Sequence, residues 1–189
     1  APLSSNISSY NNIIINGGKA VYFDTNSVGS LTSTIENAGT ISFTGSGNVT
    51  LSGVISGAGS LNTANTFTGT TTLSGANTYT GTTTISAGTL SVSSLANGGS
   101  SSNLGASTNA ATNLVLDGGA LKYTGPAAST NRLFTITGNG GTIDASGTGA
   151  LTFTGSSIAY TGTSTRTLTL TGTSTASNTL SQVVDNNTC

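Results

Sequence analysis

The residues best suited to catalysis are two carboxylates, Asp117 and Asp144, in Gly-rich surroundings of a 189-residue chain. A glycosidase needs two carboxyl groups about 5–9.5 Å apart, one of them with a raised pKa. Asp117, however, precedes Gly118 and Gly119, and Asp144 ends a short alternating run. Asp side chains favour such turns because they accept hydrogen bonds from the local backbone. We therefore interpret both carboxylates as turn formers and predict no catalytic residue.

The composition excludes several other kinds of catalytic and metal site. The chain has no His, and its one Cys is the last residue, Cys189. Ser–His and Cys–His schemes therefore lack a necessary partner, and a zinc site lacks its usual ligand cluster. The "GNGG" segment at 138–141 precedes no helix pattern, so it does not indicate phosphate binding. The sequence predicts a protein that is not an enzyme and that has no metal and no cofactor.

A run of threonines is the strongest candidate for a binding surface. The segment "TGTSTRTLTLTGTST" at 161–175 places Thr at every second position, with Leu168 and Leu170 in between. Because successive side chains of a strand point to opposite faces, the leucines are expected inward and the threonines outward. The predicted ladder consists of Thr161, Thr163, Thr165, Thr167, Thr169, Thr171, Thr173 and Thr175. Such an array could bind ice or crystalline carbohydrate, or it could serve only as a solvated strand face.

The aromatic side chains have two interpretations. Phe67 and Tyr79 occupy equivalent places in two near-identical segments, "NTFTGTTTLS" and "NTYTGTTTIS", twelve residues apart. Because aromatic rings contribute large buried areas, we expect them in the core or at its corners, and not as platforms that stack on sugars. The same expectation covers Tyr123, Phe134 and Phe153.

Charge and hydropathy exclude two classes of partner. Four basic and five acidic residues give a net charge of −1, and charged residues are 5% of the chain, against about 25% in ordinary soluble proteins. Nucleic acids are excluded because phosphate binding needs clustered basic residues, and here Lys19, Lys122, Arg132 and Arg166 are scattered. No apolar run approaches the roughly 20 residues of a membrane span, so direct membrane insertion is not expected. Cys189 leaves no internal disulfide, although it could form an intermolecular one.

These side chains must be positioned by short β-strands. The alternating runs lie at 12–16, 20–24, 40–44, 48–52, 70–74, 82–86, 89–92, 113–117, 120–124, 132–137, 141–144, 150–154 and 165–171. Residues 93–113 read as a long loop with one helical turn at most. Internal repetition with Gly and Asn at corners favours a parallel β-helix, with an antiparallel β-sandwich as the alternative. The twelve-residue offset is about half a coil, so the two copies should lie on different sides of one rung.

The repeats themselves resemble a known family. The segments "LSGVISGAGSL" (51–61), "GANTYTGTTTISAGTL" (75–90) and "LVLDGGALKYTG" (114–125) resemble the passenger-associated transport repeat of bacterial autotransporter passengers. Clear repeats run over 40–180, within a single domain at 1–189 or a segment of a longer solenoid. Thr82 stands where the family usually has a second Gly, and "NTANTFTG" (62–69) replaces a common Lys-containing run. The resemblance implies a right-handed parallel β-helix at the bacterial surface.

The function implied is that of a non-enzymatic stalk or adhesin, extracellular or on the bacterial outer surface. Expected partners are a surface glycan or a host receptor. A second hypothesis is a self-assembling filament subunit, because exposed strand edges can pair between copies end to end or laterally. A third is a Thr-rich solenoid that binds ice or carbohydrate.

Overall fold

A computed structural model describes residues 11–163 and 165–181. The described chain is built from short strands and one 3-10 turn at Ala111–Asn113. The strands are β1 (Asn12–Ile15), β2 (Ala20–Asp24), β3 (Ser30–Leu31), β4 (Thr34–Asn37), β5 (Thr40–Thr44), β6 (Val49–Leu51), β7 (Ile55–Ser56), β8 (Ser60–Thr63), β9 (Thr70–Leu73), β10 (Thr83–Ile85), β11 (Thr89–Val92), β12 (Leu114–Leu116), β13 (Ala120–Tyr123), β14 (Ala128–Thr130), β15 (Thr135–Ile136), β16 (Gly141–Ala145), β17 (Leu151–Phe153), β18 (Ala159–Tyr160), β19 (Leu168–Thr171) and β20 (Thr179–Leu180). Within the described ranges, no helix has the length and apolar character needed to cross a bilayer.

The strands wind into a solenoid with three faces. The first face stacks seven strands in the order β2-β5-β8-β10-β12-β15-β18, and the second stacks β3-β6-β9-β11-β13-β16-β19. The third face is split into two sheets, β1-β4-β7 and β14-β17-β20. One rung is one coil of the chain around these faces. Every pair of named strands is parallel, as in β9 with β11 and β10 with β12. The predicted β-solenoid is confirmed, and the sandwich alternative is wrong because it requires antiparallel strand pairs.

The core is a set of side-chain columns that run along the solenoid axis. On the second face, Leu31, Leu51 and Leu73 stack through the registers of β3, β6 and β9. Aromatic rings continue this pattern: the Phe23 and Phe43 ring centroids lie 5.7 Å apart, nearly parallel. The five aromatic residues predicted to be core are at most 2% exposed: Phe67, Tyr79, Tyr123, Phe134 and Phe153. That prediction is confirmed.

The two near-identical segments occupy different faces. The first copy forms β9 on the second face and the second copy forms β10 on the first face, as predicted. Each copy needs its glycine because the rung below passes very close. A Cβ at Gly69 would lie 1.8 Å from the Gly47 carbonyl oxygen, and one at Gly81 would lie 2.2 Å from that of Gly59. The "TG" of the repeat therefore marks corners where backbone packs on backbone.

The predicted loop replaces strand structure on the third face. Residues 93–110 contain no strand, and the 3-10 turn at Ala111–Asn113 leads into β12. This segment lies between the two sheets of the third face, since an antiparallel bridge joins Asn77 to Ser102 and the Thr130 hydroxyl of β14 donates to the Ala96 carbonyl. Leu95 and Leu104 are buried from within it. The interruption at 93–110 is thus filled by the loop's own packing.

Two buried threonines give a matched test of the core. The Thr71 hydroxyl is buried without a hydrogen-bond partner among the described residues, whereas the Thr63 hydroxyl donates to the Ala87 carbonyl and accepts from the Ser86 amide. We expect Thr71→Val to raise the free energy of unfolding by about 1 kcal/mol, because a desolvated hydroxyl is removed. We expect Thr63→Val to lower it by about 1–2 kcal/mol, because buried groups lose a partner. Urea unfolding measures both, and shifts of the same sign would contradict the assignment.

Candidate functional site: the hydroxyl face and the locked loop

The eight threonines predicted as one ladder do not share a strand. Only Thr169 and Thr171 lie in β19; Thr161, Thr163, Thr165 and Thr167 precede it, and Thr173 and Thr175 follow it in irregular backbone. In the segment before β19, the Arg166 guanidinium donates to the carbonyls of Thr161 and Gly162 and lies 5.3 Å from the centre of the Tyr160 ring. All eight threonines are exposed. Regular strand spacing therefore covers only Thr169 and Thr171 of the eight, and the use of these threonines as a binding surface stays a prediction.

Leu170 does not have the buried position that was expected for it. Leu170 is in register with Ile143 of the inward column, yet it is 59% exposed. The reason is that β19 is the last strand of its sheet among the described residues, so no further strand covers it. Alternation along β19 therefore agrees with the prediction, but burial also requires a neighbouring rung.

Hydroxyl groups do form ladders, but across the strands of the second face. Residues in register lie about 4.8 Å apart from strand to strand, and alternate residues of one strand lie about 6.6 Å apart. One outward column contains Thr70, Thr89, Ala120, Thr142 and Thr169. The next contains Ser30, Thr50, Thr72, Ser91, Lys122, Asp144 and Thr171, of which Ser91 is buried. These two columns define the hydroxyl face, which includes Thr169 and Thr171 of the predicted set.

The hydroxyl face is electrically balanced. Its two charged members, Lys122 and Asp144, are register partners in β13 and β16. Their Nζ and Oδ2 atoms lie 3.5 Å apart, and the Ser146 hydroxyl also donates to Asp144. Because each charge has its opposite beside it, the face offers neutral hydrogen-bonding groups over most of its length.

The two carboxylates considered for catalysis are held separately. Asp117 follows β12 on the first face and accepts hydrogen bonds from the Thr137 hydroxyl at 2.5 Å and the Asn139 side-chain nitrogen at 2.9 Å. Asp144 lies in β16 on the second face, where it pairs with Lys122. Both therefore have structural partners on different faces of the solenoid. Among the described residues, no group of three His, Cys, Asp or Glu side chains could hold a metal.

A buried arginine fixes the loop at 93–110. Arg132 is 2% exposed. Its Nε donates to the Ala96 carbonyl at 3.1 Å, its Nη1 donates to the Ser107 carbonyl and hydroxyl, and its Nη2 donates to the Gly105 carbonyl at 2.8 Å. The planar guanidinium suits this task because its donors diverge in a fixed geometry. Residues 95–110, held in this way, are called the locked loop below.

Two buried asparagines attach the same loop to the repeat. The Asn103 side-chain oxygen accepts from the Ser93 and Ser94 amides, and its nitrogen donates to the Gly75 carbonyl at 2.9 Å. The Asn77 side chain accepts from the Ile55 amide and donates to the Asn103 carbonyl at 2.7 Å. The sequence did not indicate these roles, and Arg132 was predicted only to be one of four scattered cations. Arg132 comes ten residues after Lys122, so nothing in the local sequence marked it as buried.

Tyr79 lies beside this network. Its hydroxyl forms a 2.8 Å hydrogen bond with the Thr83 hydroxyl, and both residues are buried. Burial raises the pKa of Tyr79 to about 12, against the smaller opposing effects of Thr83 and of the positive charge on Arg132. Burial also lowers the pKa of the Arg132 guanidinium, and Tyr79 opposes that shift. The neutral phenol is therefore the form that the fold accommodates.

Comparison with known proteins agrees with the repeat structure. Residues 68–92 match the family model described as the passenger-associated-transport-repeat. The "Adhesin BmaC autotransporter" of Brucella suis biovar 1 is 52% identical over 68 residues, which are 35% of this chain and 2% of that protein. The chain thus spans 2% of the length of the curated relative it matches. No solved structure matches the chain. The predicted resemblance is confirmed: the chain carries an autotransporter passenger repeat.

The buried phenol predicts a pH dependence of stability. Because the pKa of Tyr79 rises from 10.0 to about 12 on folding, its contribution is complete below pH 10.0 and is lost as the pH rises towards 12. In that window the unfolded chain releases a proton that the folded chain retains, so the free energy of unfolding should fall by up to about 1.4 kcal/mol per pH unit.

Urea unfolding across this pH range, with Tyr79→Phe as the control, isolates the contribution. The variant should be less stable at neutral pH and should show the shallower decline at alkaline pH. Equal slopes for the two proteins would show that Tyr79 titrates normally.

Proposed function

We propose that this chain is a non-enzymatic adhesive and structural rod, displayed on a bacterial surface or secreted, whose hydroxyl face contacts neutral polysaccharide. The passenger repeat at 68–92 supports the surface or secreted location. The relative with 52% identity is named an adhesin, which supports the adhesive role. The hydroxyl face is the observation that carries the choice of ligand.

The geometry of the hydroxyl face favours an extended, ordered ligand. Thr70 of β9 is in register with Thr89 of β11, and Thr50 of β6 is in register with Thr72 of β9. All four are half-buried, and their hydroxyls repeat at about 4.8 Å along the axis. Each hydroxyl both donates and accepts a hydrogen bond, as do the hydroxyls of a sugar. One such contact is weak in water, but a rigid array makes many at once and gains from multivalency.

The charges on the hydroxyl face also favour a neutral ligand. A phosphorylated or sulfated polymer needs unpaired cations, whereas the one cation of the hydroxyl face, Lys122, is paired with Asp144. An apolar partner would leave the hydroxyls desolvated and unpaired, which is costly. A neutral carbohydrate surface satisfies both conditions. The alternatives of filament assembly and ice binding stay predictions.

The test is retention of the protein on microcrystalline cellulose and on chitin particles. We expect the double variant Thr72→Lys, Thr89→Lys to bind about tenfold less, because two hydrated cations prevent close approach. Lysine fits this face, since Lys122 occupies the same column as Thr72. Circular dichroism establishes that the fold is retained.

The matched control is Thr84→Lys. Thr84 lies in β10 on the first face and is half-buried like Thr72, so this variant should be retained like the parent chain. Equal losses from both faces, or a parent chain that binds neither polymer, would refute the role of the hydroxyl face. Thermal hysteresis without polysaccharide binding would favour ice as the ligand.

A further inference from the structure

The locked loop interrupts the regular solenoid, and the solenoid fold does not require such a loop. Elsewhere the third face is built from strands of two to four residues, such as Ile55–Ser56 and Ala128–Thr130. Here residues 93–110 form no strand. Ordering so many additional residues costs conformational entropy, and long ordered loops in compact domains are usually functional.

The locked loop is compact, and its two arms are residues 96–99 and 107–109. Gly98 and Asn109, on opposite arms, are so close that a Cβ at Gly98 would lie 2.2 Å from the Asn109 backbone nitrogen. The Gly99 amide donates to the Ser107 carbonyl at 2.8 Å. Arg132 then joins the arms from beneath, because it donates to Ala96 on one arm and to Ser107 on the other.

The loop is also attached to the next part of the solenoid. The Gly98 amide donates to the side-chain oxygen of Asn131, and the Asn131 amide donates to that of Asn97, both at 2.9 Å. These two reciprocal bonds and the Arg132 donors hold the backbone of the loop in one arrangement. A loop held in this way loses little further backbone entropy when it binds a ligand.

The outer surface of the locked loop is polar and uncharged. Its exposed polar side chains are Asn97, Ser100, Ser101, Thr108 and Asn109, and the apolar Ala110 is exposed beside them; residues 95–110 include no Lys, Arg, Asp or Glu. The side chains of Ser100, Ser101 and Asn109 make no hydrogen bond within the part of the chain that the structure describes, so their donors and acceptors face solvent. Amides and hydroxyls together match the donor and acceptor pattern of sugar hydroxyls.

We infer that the locked loop is a discrete binding site for a neutral oligosaccharide, separate from the hydroxyl face and positioned by Arg132. Ser100, Ser101 and Asn109 contact the sugar, and Arg132 acts through the loop without touching the ligand. The site is small and rigid, so it selects a short soluble glycan, whereas the hydroxyl face requires an extended polymer. This inference goes beyond the proposed function and does not depend on it.

Solution NMR titration of the full chain tests the site directly. The probes are cellohexaose, mannohexaose and N-acetylchitohexaose, with a heparin hexasaccharide as the charged comparison. We expect a neutral hexasaccharide to shift the amide resonances of residues 97–101 and 107–110. We expect Ser101→Lys, at an exposed position, to weaken that binding at least tenfold, while Thr84→Lys leaves it unchanged.

The positioning role of Arg132 needs its own readout. Arg132→Lys keeps a positive charge but loses the divergent donors. We expect faster amide hydrogen exchange at 96–107 and about tenfold weaker sugar binding, with the exchange slowed again by saturating sugar. Slowing by added sugar distinguishes a positioned binding site from a loop that is only structural.

Several results would overturn the inference. These are shifts confined to the hydroxyl face, binding of heparin alone, full affinity in Ser101→Lys, or no shift with any of the three neutral sugars. Failure of the proposed function is a separate result, since retention on solid cellulose or chitin is tested with Thr72→Lys and Thr89→Lys, which leave the locked loop intact.

Discussion

Parallel in-register stacking is the constraint on which this structure depends. Each rung places its strands about 4.8 Å from those of the next, so every side chain has a counterpart from another rung directly beside it. Leucine therefore stacks on leucine in the column Leu31, Leu51 and Leu73. At the corners the same closeness leaves no room for a Cβ, as between Gly69 and Gly47. The glycines, the aliphatic columns and the outward hydroxyls follow from one geometric requirement.

The same requirement explains the scarcity of charge. A charged residue repeated in every rung would form a column of like charges at the strand spacing, which is destabilising. The hydroxyl face accommodates its two charges by making them opposite neighbours, Lys122 and Asp144. Ser and Thr can repeat without this penalty, and Thr also suits the strand backbone. A neutral, hydrogen-bonding surface is therefore the natural exterior of this solenoid.

Where the regular stacking is interrupted, hydrogen bonds replace it. The third face loses its strand between β7 and β14, and Arg132 with Asn77 and Asn103 satisfies the backbone groups that a strand would have paired. A buried cation is costly unless its donors are satisfied, and here they meet the carbonyls of Ala96, Ser107 and Gly105. Within residues 11–163, the result is an irregular, hydrogen-bonded loop whose surface differs from the repeating faces of the solenoid.

The sequence alone determined the class of fold and much of its detail. The alternating runs at 20–24, 40–44 and 89–92 coincide with β2, β5 and β11, because alternation over several residues indicates a strand with one buried side. Ser30–Leu31 and Ile55–Ser56 were missed, since two residues cannot display a period. The long loop was also predicted, because its glycines and serines suit neither a helix nor a strand.

Only the tertiary structure decided which side chains lie together. The threonine ladder was expected along 161–175, but hydroxyls align across strands, through Thr70 with Thr89 and Thr72 with Ser91. Periodicity within one strand cannot reveal the register between rungs, which depends on the length of every corner. The partners of Arg132 were hidden for the same reason, since they lie 25–36 residues away. The sequence determined which side of each strand faces water, and the winding of the chain decided which residues from other rungs stand beside it.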